Sequence, residues 1–311
     1  MNIRNIIKFL IVSVILFFLA RSIILNWGKI KGFDWSFNPV LMILAFIVFF
    51  AGYMLLPWIF SKMLGYLGNK ISYKDAWDIY YVGNMGKYIP GKVWAIAGIT
   101  YMAEKAGVPV QTAGTAAVLS QIYSLLSSSV FFIIFLICRG FKSSYSLVLW
   151  FIPVSLILLI FLFPKNLEKA VNFLLSKIGR KPLNISISSF SALKITFFYF
   201  ISWLIMGSAF WLLASSFAGT GMFDLTVTVS IYVVASVIGF IAFFAPGGIG
   251  VREGMLGLLF INEIPLSIGI VIAVISRLMV TFIEIINVTV TILRKGLLNG
   301  STKARKKNGN Q

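Results

Sequence analysis

Seven long apolar runs divide this chain, at residues 6–25, 39–60, 115–138, 147–163, 193–217, 226–244 and 267–293. A helix rises about 1.5 Å per residue, so about twenty apolar residues cross the hydrocarbon of a bilayer. Hydrocarbon gives backbone amides no partner, which leaves helices and closed barrels as spanning structures. A barrel would show alternating strands of about ten residues, and no such alternation is present. The expected fold is therefore all-α and integral to a membrane. It is a polytopic helical bundle of about eight transmembrane elements, with two Gly/Pro-broken segments that suit re-entry. Composition agrees, with 59% hydrophobic and 12% charged residues, against about a quarter charged in soluble domains. The first run opens with Arg4 and Lys8 nearby, as a signal peptide does. No small-x-small cleavage site follows it, so a retained signal-anchor helix is expected. Pro57 is placed near the end of the second helix, where a kink costs least.

Charge is strongly unbalanced, with 27 Lys+Arg against 9 Asp+Glu and a net charge of +18. In a soluble chain this would suggest nucleic acid. Among membrane spans it marks cytoplasmic loops instead, so no nucleic-acid partner is expected. The chain has no histidine, which removes His triads, His metal ligands and the commonest general base. The single cysteine, Cys138, forms no internal disulfide. No catalytic residue, metal site or cofactor is read. The loop 164–190 carries Lys165, Lys169, Lys177, Arg180 and Lys181, and the tail carries Arg294, Lys295, Lys303, Arg305, Lys306 and Lys307. The positive-inside rule places both in the cytoplasm and 218–225 outside. Both termini are then cytoplasmic, in the cell membrane. Lys29, Lys31, Arg139 and Lys142 fall outside against that trend. Residues 1–298 read as one membrane domain and 299–311 as a basic, disordered cytoplasmic tail.

The segment 75–104 reads as two short arms joined by Gly83-Asn84-Met85-Gly86-Lys87-Tyr88-Ile89-Pro90-Gly91-Lys92. Neither arm spans alone, and together they suit a re-entrant hairpin. The segment 245–263 opens with Ala245-Pro246-Gly247-Gly248-Ile249-Gly250-Val251-Arg252-Glu253-Gly254. It either re-enters or crosses. Interrupted segments in both halves of a membrane chain point to a transport site. In the first, Asn84, Lys87 and Lys92 lie among Gly86, Pro90 and Gly91. A helix starting near Gly91 would aim its amides at an anion. The competing reading is an interfacial elbow with Tyr88 and Trp94 as belt aromatics and snorkelling lysines.

In the second segment, Pro246, Gly247, Gly248 and Gly250 shape a tight turn without the Lys-Ser/Thr of a nucleotide loop. Arg252 and Glu253 follow at membrane depth, where ionisable residues face a cavity or a partner. Their alternative is a self-neutralised structural pair. Arg277 and Glu284 lie inside the last run, seven apart on one helix face. They are too far apart to pair simply. Arg277 is expected to meet Glu253 or a lipid phosphate, and Glu284 to meet Lys87, Lys92 or Arg252. Structural pairing is equally open here. Asp75 and Asp78 share a helix face but are read as solvated, with Lys74 beside them. Ser127-Ser128-Ser129 and Gly207-Ser208-Ala209 read as small-residue packing faces.

The stretches 84–94 and 245–254 resemble the two motifs of the flippase-like membrane domain of lysylphosphatidylglycerol synthases. The resemblance covers nearly the whole chain. It implies a polytopic domain that binds a lipid and moves it between leaflets. It also carries roles onto Lys87, Pro90, Lys92, Pro246, Gly247, Gly248, Arg252 and Glu253. In the full synthases a cytosolic aminoacyltransferase domain follows. This chain stops shortly after Leu293, so lysyl transfer is not expected of it. The function read is binding and translocation of an anionic phospholipid or a polyprenyl- or glycan-linked lipid in envelope biogenesis. Asn84, Lys87, Lys92, Arg252 and Arg277 would hold the headgroup. A separate glycosyltransferase or aminoacyltransferase is a conceivable partner. Two alternatives stand beside this reading. One is a polyprenyl-phosphate-dependent glycosyltransferase using Asp34 as its external acid. The other is a non-enzymatic scaffold of an envelope-glycan complex.

Overall fold

A computed structural model of the chain describes residues 24, 27–33, 35–89, 93–140, 157, 159–177, 187–242 and 244–308. Nearly all of the run 6–25, most of 147–163, and the positions Asp34, Pro90, Gly91, Lys92 and Lys142 lie outside the described residues. The fold is all-α. In chain order the helices are α1 (Trp27–Lys31), α2 (Pro39–Tyr66), α3 (Tyr73–Asn84), α4 (Val93–Lys105), α5 (Val110–Arg139), α6 (Pro164–Lys177), α7 (Ser189–Ala218), α8 (Leu225–Ile241), α9 (Val251–Leu259) and α10 (Leu266–Asn308). Among the described residues, α2, α5, α7 and the 266–294 part of α10 are long and apolar enough to cross a membrane.

Local chemistry sets the ends of these helices. Asn38 accepts from the amides of Val40 and Leu41 at 3.0 and 3.2 Å, and Pro39 opens the helix. That pairing suits an N-terminus, where free amides need acceptors and proline loses nothing. The amides of Ser36 and Asn38 donate to the carbonyls of Phe217 and Ser216. The start of α2 is thus tied to the end of α7, and the two helices run antiparallel. Around them packs a core that includes Phe49, Phe135, Phe210 and Ile283, all fully buried.

Pro57 departs from expectation. The helix continues to Tyr66, so Pro57 lies in its interior. Proline cannot bond back to the carbonyl four residues earlier. That carbonyl, on Tyr53, instead accepts from the Tyr81 hydroxyl at 2.7 Å. The neighbouring Met54 carbonyl accepts from Tyr73 Oη at 2.8 Å. Side chains of α3 therefore satisfy the helix that proline opens.

The first broken segment is a helical hairpin, as expected. α3 and α4 are joined through the 3₁₀ turn Met85–Tyr88. At 12 and 13 residues each arm is about 20 Å long, too short to cross. The arms pack backbone to backbone. A Cβ on Gly83 would lie 2.6 Å from the Ile99 backbone. Midway along its first arm Asp78 pairs with Arg294 of α10, and at its tip Lys87 pairs with Glu284. Those two α10 residues are ten apart, about 15 Å along the helix.

The second broken segment re-enters rather than crosses. α9 has nine residues, about 13 Å. It doubles back on α8 across the turn Pro246–Gly248. A Cβ on Gly239 would lie 2.8 Å from Arg252 Cβ, and Phe260 packs edge-on to Phe223 at 5.5 Å. The chain is thereby returned to the end where α8 began, and α10 runs the length of the bundle. The two hairpins enter from opposite ends and meet tip to tip.

Two charges fall differently from the sequence expectation. Asp78 is buried rather than solvated, because Arg294 neutralises it. Arg139 is not a free external charge but pairs with Glu263 after α9.

Candidate functional site

α10 holds both hairpin tips. Glu284, 2% exposed, pairs with Lys87 and accepts from the Tyr88 hydroxyl at 2.7 Å. Seven residues earlier on the same face, Arg277 donates Nη1 to Glu253 Oε1 at 3.0 Å and Nη2 to the Gly247 carbonyl at 2.8 Å. One charged face of one helix therefore fixes the first tip through Glu284 and the second through Arg277.

Glu253 serves two partners. Its second oxygen, Oε2, accepts from the Gly250 amide at 2.7 Å. That contact closes the N-terminus of α9, where free amides favour a carboxylate. Gly250 itself sits at φ +83, a backbone state that favours glycine.

Arg252 is placed otherwise. It is 8% exposed. Nε and Nη2 donate to Ser236 and Ser276, each at 3.2 Å. Its guanidinium lies over the Tyr232 ring, 5.1 Å from the centroid. The nearest carboxylate oxygen, Glu253 Oε1, is 3.8 Å from Nη1 and already receives Arg277. Lys87, Arg252 and Arg277 thus face two carboxylates, Glu253 and Glu284. Among the described residues one positive charge is left over, and Arg252, whose contact with a carboxylate is the longest of the three, is the least neutralised. A buried charge without an equal counter-charge is costly, and the site favours an anion that supplies one.

These groups border a cavity of about 410 Å³ at the junction of the tips, the size range of small-ligand sites. Lys87, Arg252, Arg277 and Glu284 line it, together with Asn84, Gln121, Trp203 and the rings of Tyr53, Tyr80 and Tyr232.

The family model for the lysylphosphatidylglycerol synthase transmembrane region matches residues 5–286. The chain belongs to that family. No curated protein matches it at a significant level. The match takes in both broken segments, Arg277 and Glu284, so every described charge at the cavity lies within the family domain. With the four long apolar helices, it makes the chain a multi-pass membrane protein of the lysylphosphatidylglycerol synthase family.

Most sequence-predicted site residues converge. Asn84, Lys87, Gly247, Arg252, Arg277 and Glu284 line the cavity, with Glu253 behind them. Two of the pairings named from sequence are present, Arg277 with Glu253 and Glu284 with Lys87. Pro246, Gly247 and Gly248 form the second tip, with φ +57 and +72 at the glycines. A Cβ on Gly248 would lie 2.7 Å from the Gly239 carbonyl, so the tip seats directly on α8. Gly86 does not border the cavity. It lies against the Trp94 backbone and closes the hairpin. The helix after the second tip starts at Val251, and Glu253 takes its capping amide.

Sequence reasoning did not find Ser236, Ser276, Gln121 or the tyrosines. The hydroxyls sit singly within apolar runs, where serine ordinarily bonds its own helix. Gln121 was the available signal, since an amide side chain at membrane depth needs a reason.

Proposed function

We propose that the chain binds the phosphate of an anionic lipid, or of a lipid-linked glycan, in the cavity between the hairpin tips and carries it between leaflets. The observation that supports this most is the surplus charge at Arg252. Among the described residues, three cations face two carboxylates where two hairpins from opposite ends meet. A phosphate there supplies the missing counter-charge, and Arg252 offers the planar donors that phosphate suits. Access from either end then depends on which tip moves away from α10. Lys87 and Arg277 are held by Glu284 and Glu253 when the site is empty, and both are released toward an arriving anion. The chain resides in the cell membrane with both termini in the cytoplasm, placed there by the basic loop 164–190 and the basic tail. A separate transferase makes or uses the lipid it carries.

The test is reconstitution in proteoliposomes with a fluorescent anionic phospholipid in one leaflet. Wild-type protein accelerates its exchange, and Arg252→Gln abolishes that acceleration. Exchange unaffected by Arg252→Gln overturns the reading.

A further inference from the structure

We infer that the cavity takes a phosphodiester bearing a neutral, hydroxylated substituent, such as a glycerol, inositol or sugar, and that it excludes a lysyl-bearing headgroup. This rests on the phosphate-binding reading above and names the headgroup class for the same site.

Lys87, Arg252 and Arg277 bring cations to the cavity, and Asn84 and Gln121 bring amide side chains to it. Gln121 lies eleven residues into α5, about 17 Å from its start. Among the described residues neither amide has a hydrogen-bond partner. An amide carries two N–H donors and a carbonyl acceptor, and a ligand in the cavity can meet both. A phosphodiester only accepts, so it cannot satisfy an amide carbonyl. A hydroxyl both donates and accepts, so a polyol or sugar on the phosphate meets both needs. Trp203 braces the helix that carries Gln121. Its indole Nε1 donates to the Ser124 carbonyl at 3.1 Å and ties α7 to α5.

The same accounting excludes an aminoacylated headgroup. A lysyl ester brings two ammonium groups. Among the described residues, Glu284 is the one carboxylate lining the cavity, and Lys87 and Tyr88 occupy it. Glu253 is held by Arg277 and the Gly250 amide. With one positive charge already in excess, added ammonium groups find no counter-ion. Membership of a family named for lysylphosphatidylglycerol therefore does not make that lipid the cargo here.

The experiment measures binding of matched-chain lipids to the full-length protein in detergent by native mass spectrometry. The probes are phosphatidylinositol, phosphatidylglycerol, phosphatidic acid and lysyl-phosphatidylglycerol, with glycerol 3-phosphate and inositol 1-phosphate as soluble counterparts. Phosphatidylinositol and phosphatidylglycerol should each bind at least about tenfold tighter than phosphatidic acid. Lysyl-phosphatidylglycerol should bind at least about tenfold more weakly than phosphatidylglycerol. In Gln121→Leu, and separately in Asn84→Leu, the ratio to phosphatidic acid should fall toward one. Equal binding of phosphatidic acid, tight binding of the lysyl lipid, or an unchanged ratio in both variants overturns the inference. If such binding still depends on Arg252, the phosphate site survives and the headgroup class alone is wrong. If no lipid binding depends on Arg252, both readings fall. Soluble phosphates binding as tightly as the lipids, with the same hydroxyl preference, support the headgroup chemistry and overturn a lipid cargo.

Discussion

Replacing Glu284 by glutamine should weaken the protein and tighten its hold on an anion at the same time. Glu284 is 3% exposed in its side chain and Lys87 27%. Breaking a fully buried ion pair costs about 3–5 kcal/mol, and an exposed pair is worth up to about 1 kcal/mol. Lys87 keeps some contact with water, so the expected loss lies between these limits, about 2 kcal/mol. Glutamine retains an oxygen for the Tyr88 hydroxyl, so the change isolates the charge. The assay is reversible unfolding in mixed micelles for wild type, Glu284→Gln, Lys87→Met and the double variant. Because Lys87 and Glu284 serve each other, the double variant should lose less than the sum of the single losses, by about 1–2 kcal/mol. The same substitution leaves three cations against Glu253 alone and raises the surplus from one charge to two. Added anionic lipid should therefore stabilise Glu284→Gln more than wild type, by about 1.4 kcal/mol for each tenfold gain in affinity. Additive losses, or a Glu284→Gln protein as stable as wild type and no more responsive to lipid, would refute the pairing.

The first hairpin relies on glycine where its arms touch. Gly83→Ala places a Cβ 2.6 Å from the Ile99 backbone and should cost about 1–3 kcal/mol, read as a lower unfolding midpoint and faster amide exchange over 93–99. Gly248→Ala adds a Cβ 2.7 Å from the Gly239 carbonyl at a backbone φ of +72. It should displace the second tip and reduce lipid binding, measured by native mass spectrometry. Tyr81→Phe should cost about 1 kcal/mol by removing the donor to the Tyr53 carbonyl. In a Pro57→Ala background that carbonyl regains its helical partner, so Tyr81→Phe should cost almost nothing there, as a double-mutant cycle would record. Asp78→Asn strips the counter-charge from Arg294 and should destabilise the first arm of the hairpin, with the loss recovered by adding Arg294→Met.

The fold class and most of the site were legible because both are written in strong local signals. Apolar run length selects membrane helices, and Gly/Pro clusters interrupt them at two places. A spacing of seven sets Arg277 and Glu284 on one face, and their charges put Glu253 or a lipid phosphate opposite the first and Lys87, Lys92 or Arg252 opposite the second. What stayed hidden depends on residues far apart in sequence. Asp78 reads as solvated because Arg294 is 216 positions away. Pro57 reads as a helix end because the hydroxyl that compensates it is on Tyr81, in another element. Residues 245–263 are equally apolar whether they cross or re-enter. The close approach of Gly239 to Arg252 decides between the two. Gly86 lies beside the candidate anion-binding lysine in the sequence, yet it serves backbone packing against Trp94. Sequence alone does not separate those uses, because both ask only for the absence of a side chain.

The surplus charge at Arg252 is tested most directly by counting anionic lipid retained on purified full-length protein by native mass spectrometry. Wild type and Arg139→Gln, which alters a distant ion pair, should each retain one equivalent. Arg252→Gln should retain none, and Arg252→Lys should recover part of it. Equal retention by wild type and Arg252→Gln would contradict a phosphate site between the hairpin tips.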